Sequence, residues 1–323
     1  MSLRAGLRIG LVGCGRWGKN ILRDLVSLDC EVHVVAQDLE SKSNAQENGA
    51  HEIVERLSML EPDLDGYVVA VPTTCHREVV EQLIPRGKPV YVEKPLTSDT
   101  ADAAKLVDLG RGRLFVMDKW RYHPGVNAIR DIICSARLGR LRALNLRRRQ
   151  WGSAHSDVDP IWILLPHDLS IVLHLLGDIP EPLFASCLGG EGWLNALTVY
   201  LGTEVPVSIE VSSLSAQHER FLEAVFDEGT VTMRDDQPGH LLIRYITQSG
   251  QSLGELELRD VDGSLPLLLE LQAFLDFLRG GEPPMSSVEE GQLIVQRVEQ
   301  CRKLALVQVG AGEKSSPVEQ PKQ

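Results

Sequence analysis

Residues 7–18 read LRIGLVGCGRWG, an apolar run that breaks into three glycines, Gly13, Gly15 and Gly18, spaced G-x-G-x-x-G. The pattern alone is weak, because glycine is common, but its surroundings are specific. A predicted strand precedes it, a predicted helix (GKNILRDLVSL) follows, and Asp38 closes the next predicted strand, EVHVVAQD, twenty residues past Gly18. The three glycines differ in what they allow. Gly13 permits the tight turn, Gly15 lets backbone approach a pyrophosphate, and Gly18 allows helix and strand to pack closely. The helix N-terminus offers N–H groups and a partial positive charge to phosphates. A carboxylate at Asp38 suits the ribose hydroxyls of an adenosine and repels a 2′-phosphate, so NAD is expected over NADP. Cys14, Arg16 and Trp17 complete the loop. A nucleophilic role for Cys14 is not expected, although a helix N-terminus can lower a thiol pKa, because a cofactor would cover it.

Outward from this loop, LRIGLVG (7–13), EVHVVAQD (31–38), GYVVAVP (66–72), PVYVEKP (89–95) and RLFVMDK (113–119) read as strands rich in valine. Such near-continuous apolar runs belong to strands covered on both faces. Stretches long enough for crossover helices separate them, which predicts an α/β fold with a doubly wound parallel sheet, a Rossmann domain over 1–120. After a predicted linking helix at 123–139 the rhythm changes. RLRALNLRRRQW, PLFASCLGG, NALTVYLG, PVSIEVSSLS, GTVTMRDD, HLLIRYITQSG and LGELELRD read as successive strands, with a helix at 159–177 inserted early and two helices, near 265–280 and 287–308, at the end. This predicts an α+β domain over 121–309 with a largely antiparallel open sheet. The polar segment from Gly310 to Gln323 reads as a disordered tail.

The composition narrows the function. The 323 residues are 43% hydrophobic, enough for two ordinary cores. No apolar run reaches the roughly 18–20 residues of a membrane span, and the N-terminal apolar segment is too short for a signal peptide. A net charge of −12 argues against nucleic acid or an anionic membrane as partner. The LRRRQW stretch at 146–151 reads as a solvated strand face rather than a phosphate patch. Six scattered cysteines without a C-x-x-C pair read as reduced thiols of a cytoplasmic protein. No metal site is expected: His33, His51, His155, His174, His218 and His240 show no ligand spacing. Trp17 reads as packing at the loop, and Trp120, Trp151 and Trp162 as core rather than substrate-stacking residues.

In a sheet of this kind, chemistry gathers at the carboxyl ends of the strands. VPTTCHREVV (71–80) and Glu93-Lys94-Pro95 both end strands there. With the glycine loop, RYHPGVNAIRDII, PHDLSIVLHLLGDIP and PMSSVEEGQLIVQRV, they make a combination that resembles the Gfo/Idh/MocA family of oxidoreductases over nearly the whole chain. The resemblance implies that Lys94 lies beside the nicotinamide and hydrogen-bonds the reacting oxygen, that Pro95 sets the strand-end geometry, and that Glu93 positions cofactor and lysine. It implies that Val71, Pro72, Thr73 and His76 line the dinucleotide, with a ligand-free helix-end histidine an equal reading for His76, and that Arg121 lies at the mouth of the cleft. It also implies a small-molecule substrate, a sugar, sugar derivative or nucleotide sugar, and a homodimer or homotetramer formed through the second sheet.

Family members usually pair the lysine with Asp-x-x-x-His, whose spacing puts both side chains on one helix face. Here His167 matches, but Ile163 stands at the aspartate position. Asp168, a candidate substrate contact with His167, is about 100° round the helix and cannot replace it directly. Three readings stay open. His167 is the acid/base, oriented by a backbone carbonyl, Asp157 or Asp159; or Lys94 does the proton work and His167 binds substrate; or the chain binds NAD without turning over.

Overall fold

The computed structural model describes residues 6–153, 155–190, 192–236, 239–247 and 252–313. Its contacts form two compact units: Met1–Ala128 with Asp262–Val295, and Ile129–Val261 with Gln296–Gln323.

In the first unit, β1 (Arg8–Val12), α1 (Gly18–Ser27), β2 (Glu31–Val35), α2 (Leu39–Glu47), β3 (Glu52–Val54), β4 (Gly66–Val69), α3 (His76–Leu83), β5 (Val90–Glu93), α4 (Thr100–Gly110) and β6 (Leu114–Met117) follow one another. The strands form one parallel sheet in the order β3-β2-β1-β4-β5-β6. Buried residues fill β4 and β6 completely, as two covered faces require. The order reverses beside β1, which puts a switch point between β1 and β4, where such sheets bind ligands. Strand β3, too short to show a pattern, has no counterpart among the expected strands.

Four further helices follow: α5 (Pro124–Ser135), α6 (Pro160–Leu176), α7 (Pro266–Leu278) and α8 (Val288–Glu313). Helix α7 departs from the expected boundary at 120, because it packs in the first unit. Leu271, Phe274 and Leu275 are fully buried in the cluster that holds Ile9, Leu11 and Val68. The Tyr91 and Phe274 rings lie 4.9 Å apart, and Phe115 meets Phe277 edge-on at 5.0 Å. A Cβ on Gly66 would come within 2.9 Å of a Leu278 methyl, so this strand packs closely against the helix and alanine there would make that side chain shift. A reciprocal capping box starts α8, with Ser287 N–H donating to Glu290 and Glu290 N–H to the Ser287 hydroxyl.

The second unit holds β7 (Leu141–Trp151), β8 (Pro182–Gly190), β9 (Trp193–Leu201), β10 (Val207–Ser212), β11 (Leu214–Phe226), β12 (Gly229–Arg234), β13 (His240–Ile246) and β14 (Leu253–Asp260). They form a sheet in the order β14-β13-β12-β11-β7-β10-β9-β8, antiparallel except for the β7–β10 pair. The longest strand, β11, is also absent from the expected set. Helix α6 is capped by Asp159, begins with Pro160 and stops at Gly177, whose φ of 80° suits glycine. No helix among the described residues is long and apolar enough to cross a membrane. Helix α8 reaches Glu313, past the expected start of a tail at 310; residues 314–323 lie outside the described residues.

Candidate functional site

The glycine turn leaves β1 at the switch point. Gly13 has φ +95°, and a Cβ there would meet the Ala70 carbonyl oxygen at 2.6 Å. A Cβ on Gly18 would lie 2.3 Å from the Gly13 carbonyl oxygen, so the helix and the turn interlock there. Gly15 is different: a Cβ would meet nothing within 4 Å. Its missing side chain is therefore not required by packing, which leaves open backbone at the start of α1, a cradle a ligand can enter. The first turn of α1 carries no acidic residue and no side-chain cap, so nothing in it opposes an anion. Cys14 is fully buried, and burial pushes its thiol up to about 11, not down as a helix N-terminus would. The loop is also held from α2: the Asn44 amide donates to the Cys14 carbonyl at 3.0 Å, a contact no sequence signal announces. Arg16 is exposed.

Asp38 is exposed and caps α2, accepting from the Ser41 N–H and hydroxyl, both at 2.8 Å. Those bonds hold its carboxyl below the usual range. It stays an anion, and each oxygen keeps a second lone pair for a ribose hydroxyl.

Lys94 follows β5 directly and precedes a cis peptide bond to Pro95. Glu93 accepts from the Lys94 N–H at 3.1 Å and from the Trp17 indole N–H, so the lysine strand end is bonded to the glycine loop. The Lys119 ammonium sits 4.4 Å from the Trp17 ring centroid. Burial raises the Glu93 carboxyl, while Lys94 and the Trp17 bond oppose that shift. Behind Tyr91 lies Glu270 of α7, 1% exposed. Burial raises its carboxyl well above the ordinary range, and the charges of Glu93 and Asp118 add to the effect. Glu270 stands on the same helical stripe as Leu267, Leu271, Phe274 and Leu275, so the spacing in α7 marks its position as inward.

His76 is 1% exposed, with Nδ1 2.9 Å from the Pro95 carbonyl and Nε2 3.0 Å from the Val71 carbonyl. It lies between the ends of β4 and β5, and as a neutral imidazole donates its one N–H to one of the two carbonyls. Thr73 is buried and Pro72 exposed at the same edge. Arg121 is not at an open mouth. It is 2% exposed, donates to the Met285 carbonyl at 2.7 Å and pairs with Glu290 at 3.0 Å, strapping the turn after β6 to the start of α8.

In the second unit, 14 of the 17 residues of α6 are buried, and His167 is one of the three that are not. Ile163 shares its helix face and is 9% exposed. Asp168 is 2% exposed, and both its oxygens accept from Arg148, the shortest bond being 2.7 Å. Its carboxylate is thus committed to a buried pair, which corrects its reading as a substrate contact. It also corrects the solvated reading of LRRRQW: Arg148 follows Leu144 and Leu146 on the buried face of β7. Asp159, one expected orienter of His167, instead accepts from the Ile161 and Leu194 N–H groups and from Arg302.

The chain aligns over 77% of its length, and 77% of the other's, with inositol 2-dehydrogenase of Streptomyces avermitilis at 27% identity. A dTDP-3,4-didehydro-2,6-dideoxy-alpha-D-glucose 3-reductase of Streptomyces violaceoruber is 31% identical over 43% of each chain. The chain thus spans less than half the length of that relative, and 45% of its counterpart from Saccharopolyspora spinosa. Among solved structures, UDP-N-acetylglucosamine 3-dehydrogenase of Acidithiobacillus ferrooxidans superposes with a TM-score of 0.79 at 21% identity, covering 94% of this chain and 99% of that one. This likeness establishes the two-part fold. Residues 7–113 match the model of the Gfo/Idh/MocA oxidoreductase family, with its NAD-binding Rossmann fold.

Proposed function

We propose that the chain is an NAD-dependent oxidoreductase acting on a secondary alcohol, or the corresponding ketone, of a sugar, sugar derivative or nucleotide sugar. One observation carries this reading: the Trp17–Glu93 bond joins an open glycine turn to the strand end that presents Lys94. The cofactor, when bound, supplies the hydride acceptor or donor. Gly15 and the start of α1 receive its phosphates, and Asp38 its adenosine ribose. Glu93 and His76 fix the backbone of Lys94, whose ammonium donates to the substrate oxygen and stabilises the charge that develops on it. His167 takes or returns the proton. The substrate class follows what the relatives are named for. Titration with NAD and with NADP, followed by absorbance of the reduced nicotinamide against a panel of cyclitols, sugars and nucleotide sugars, tests the proposal. No turnover with any of them overturns it.

Asp38 sets the cofactor preference. Asp38→Ser keeps a capping side chain on α2 but removes the acceptor of the ribose hydroxyls, a charged hydrogen bond of about 1.5–3 kcal/mol. The expected result is a roughly 10- to 100-fold rise in the KM for NAD with a gain in the use of NADP. An unchanged ratio of the two cofactors would sink the assignment.

Ile163 supports a second reading, a protein that binds NAD without turnover. Ile163→Asp separates the two. The new carboxylate lies one helical turn before His167 at a buried position, so it destabilises by about 1–3 kcal/mol, yet it can orient the imidazole. If His167 is the base, kcat rises by about 10-fold or more; a fall or no change favours another role for His167.

The second sheet offers a surface for a second copy of the chain. In its register Phe184, Tyr200, Ser208, Asn145 and Glu223 line up across one face, with Phe184 47% and Tyr200 49% exposed. Leu188 and Trp151 add exposed apolar area, consistent with a homodimer or homotetramer formed through this face.

A further inference from the structure

Far from the glycine turn, near the amino ends of β1 and β2, a second cluster draws together three side chains that the sequence shows no reason to group. Glu31 and His33 alternate onto one face of β2. His51 stands just before β3, where its N–H donates to the Val32 carbonyl at 2.8 Å. One ligand atom from each of the three lies within 4.8 Å of the others. His33 is 2% exposed, with Nδ1 2.9 Å from Glu52 Oε2 and Nε2 2.9 Å from Glu31 Oε1. His51 Nε2 is 3.5 Å from that same Glu31 oxygen.

In the tautomer with its proton on Nδ1, donated to Glu52, His33 has its Nε2 lone pair facing a Glu31 oxygen, an arrangement that a cation beside both atoms stabilises; without a metal ion the Arg8 guanidinium supplies that charge. A carboxylate that orients a histidine through its other nitrogen is the usual outer partner of a metal-bound imidazole. Ligand atoms 2.9 and 3.5 Å apart are close to the spacing that metal–ligand bonds of about 2.0–2.2 Å impose. The cluster borders an open cleft of about 1120 Å³ lined in part by Arg8, Glu31 and His51, which leaves room for water to complete the coordination.

We propose that Glu31, His33 and His51 bind a divalent late first-row transition ion, of the zinc or nickel class, with Glu52 orienting His33. Two imidazoles and one carboxylate are the donor set such ions take. Arg8 is the competitor. Its Nε lies 3.0 Å from Glu31 Oε1 and its Nη2 3.4 Å from His33 Nε2. It also bonds the Glu61 carboxylate and the Asp63 carbonyl, so it keeps partners when an ion displaces it from Glu31. The site would tie β2 to the loop before β3, independently of the redox reading.

The test uses the tag-free full chain, stripped with a chelator and titrated with zinc by calorimetry. One ion per chain is expected, with a rise in the melting temperature. His51→Ala removes a side chain that is 56% exposed, so the fold tolerates it, and zinc binding and the melting shift should both be lost. Glu52→Gln weakens binding by about 10- to 100-fold. Arg8→Gln tightens it, which a merely structural ion-pair cluster would not do. Absence of binding at millimolar zinc overturns the proposal, as does binding unchanged in His51→Ala; equal or weaker affinity in Arg8→Gln overturns the competition.

Discussion

Lys94→Ala lowers kcat by about 10²- to 10³-fold, the usual cost of removing one preorganised donor to a developing oxyanion. NAD affinity should change far less, because the glycine turn and Asp38 remain. The lysine is a good candidate for so large an effect because its surroundings are built before substrate arrives. Glu93 takes the Lys94 N–H, Trp17 holds Glu93, and His76 lies between the Val71 and Pro95 carbonyls. Lys94→Arg should not restore the rate, since a planar fork does not replace a compact ammonium. Steady-state rates with a turned-over substrate, alongside NAD titration by nucleotide fluorescence, separate the two quantities. Wild-type turnover in Lys94→Ala would end the mechanism.

The second large effect comes from the glycines, which should fail in opposite ways. Gly15→Val adds a side chain where no protein atom lies within 4 Å, so the melting temperature should hold while NAD binding is lost by about 100-fold or more, the blocked approach of the phosphates to the backbone. Gly18→Val drives a Cβ to within 2.3 Å of the Gly13 carbonyl oxygen and should destabilise the unit by about 1–3 kcal/mol, read by chemical denaturation. If Gly15→Val binds NAD normally, the cofactor does not lie over this turn.

The part of this that the sequence reveals is the part written in local patterns. Valine runs, the glycine spacing and Asp38 report the parallel sheet and its binding edge, because each rule acts over a few residues. Helix α7 shows where such rules stop: an amphipathic stripe tells that a helix packs, not which sheet it packs on. Strand β11 escapes because its first half, SAQHER, is mostly polar with no buried residue and breaks the alternation that marks a strand. Arg148 could have been found, since it shares the parity of Leu144 and Leu146 on β7, and an inward arginine calls for an acid such as Asp168. Glu270 likewise shares the helical stripe of Leu267, Leu271 and Phe274, whereas the Glu31–His33–His51 cluster depends on a contact between distant segments, which no spacing within the sequence encodes.

The excursion of the chain out of the first unit and back has a practical consequence for anyone who wants the nucleotide-binding half by itself. Leu267, Leu271, Phe274 and Leu275 arrive from about 140 residues downstream of Ala128, and at about 1.5–3 kcal/mol each they contribute roughly 6–12 kcal/mol, comparable to the whole stability of an ordinary domain. A fragment cut at residue 120 or 128 should therefore aggregate, and one that splices 262–295 onto it through a short flexible linker should fold.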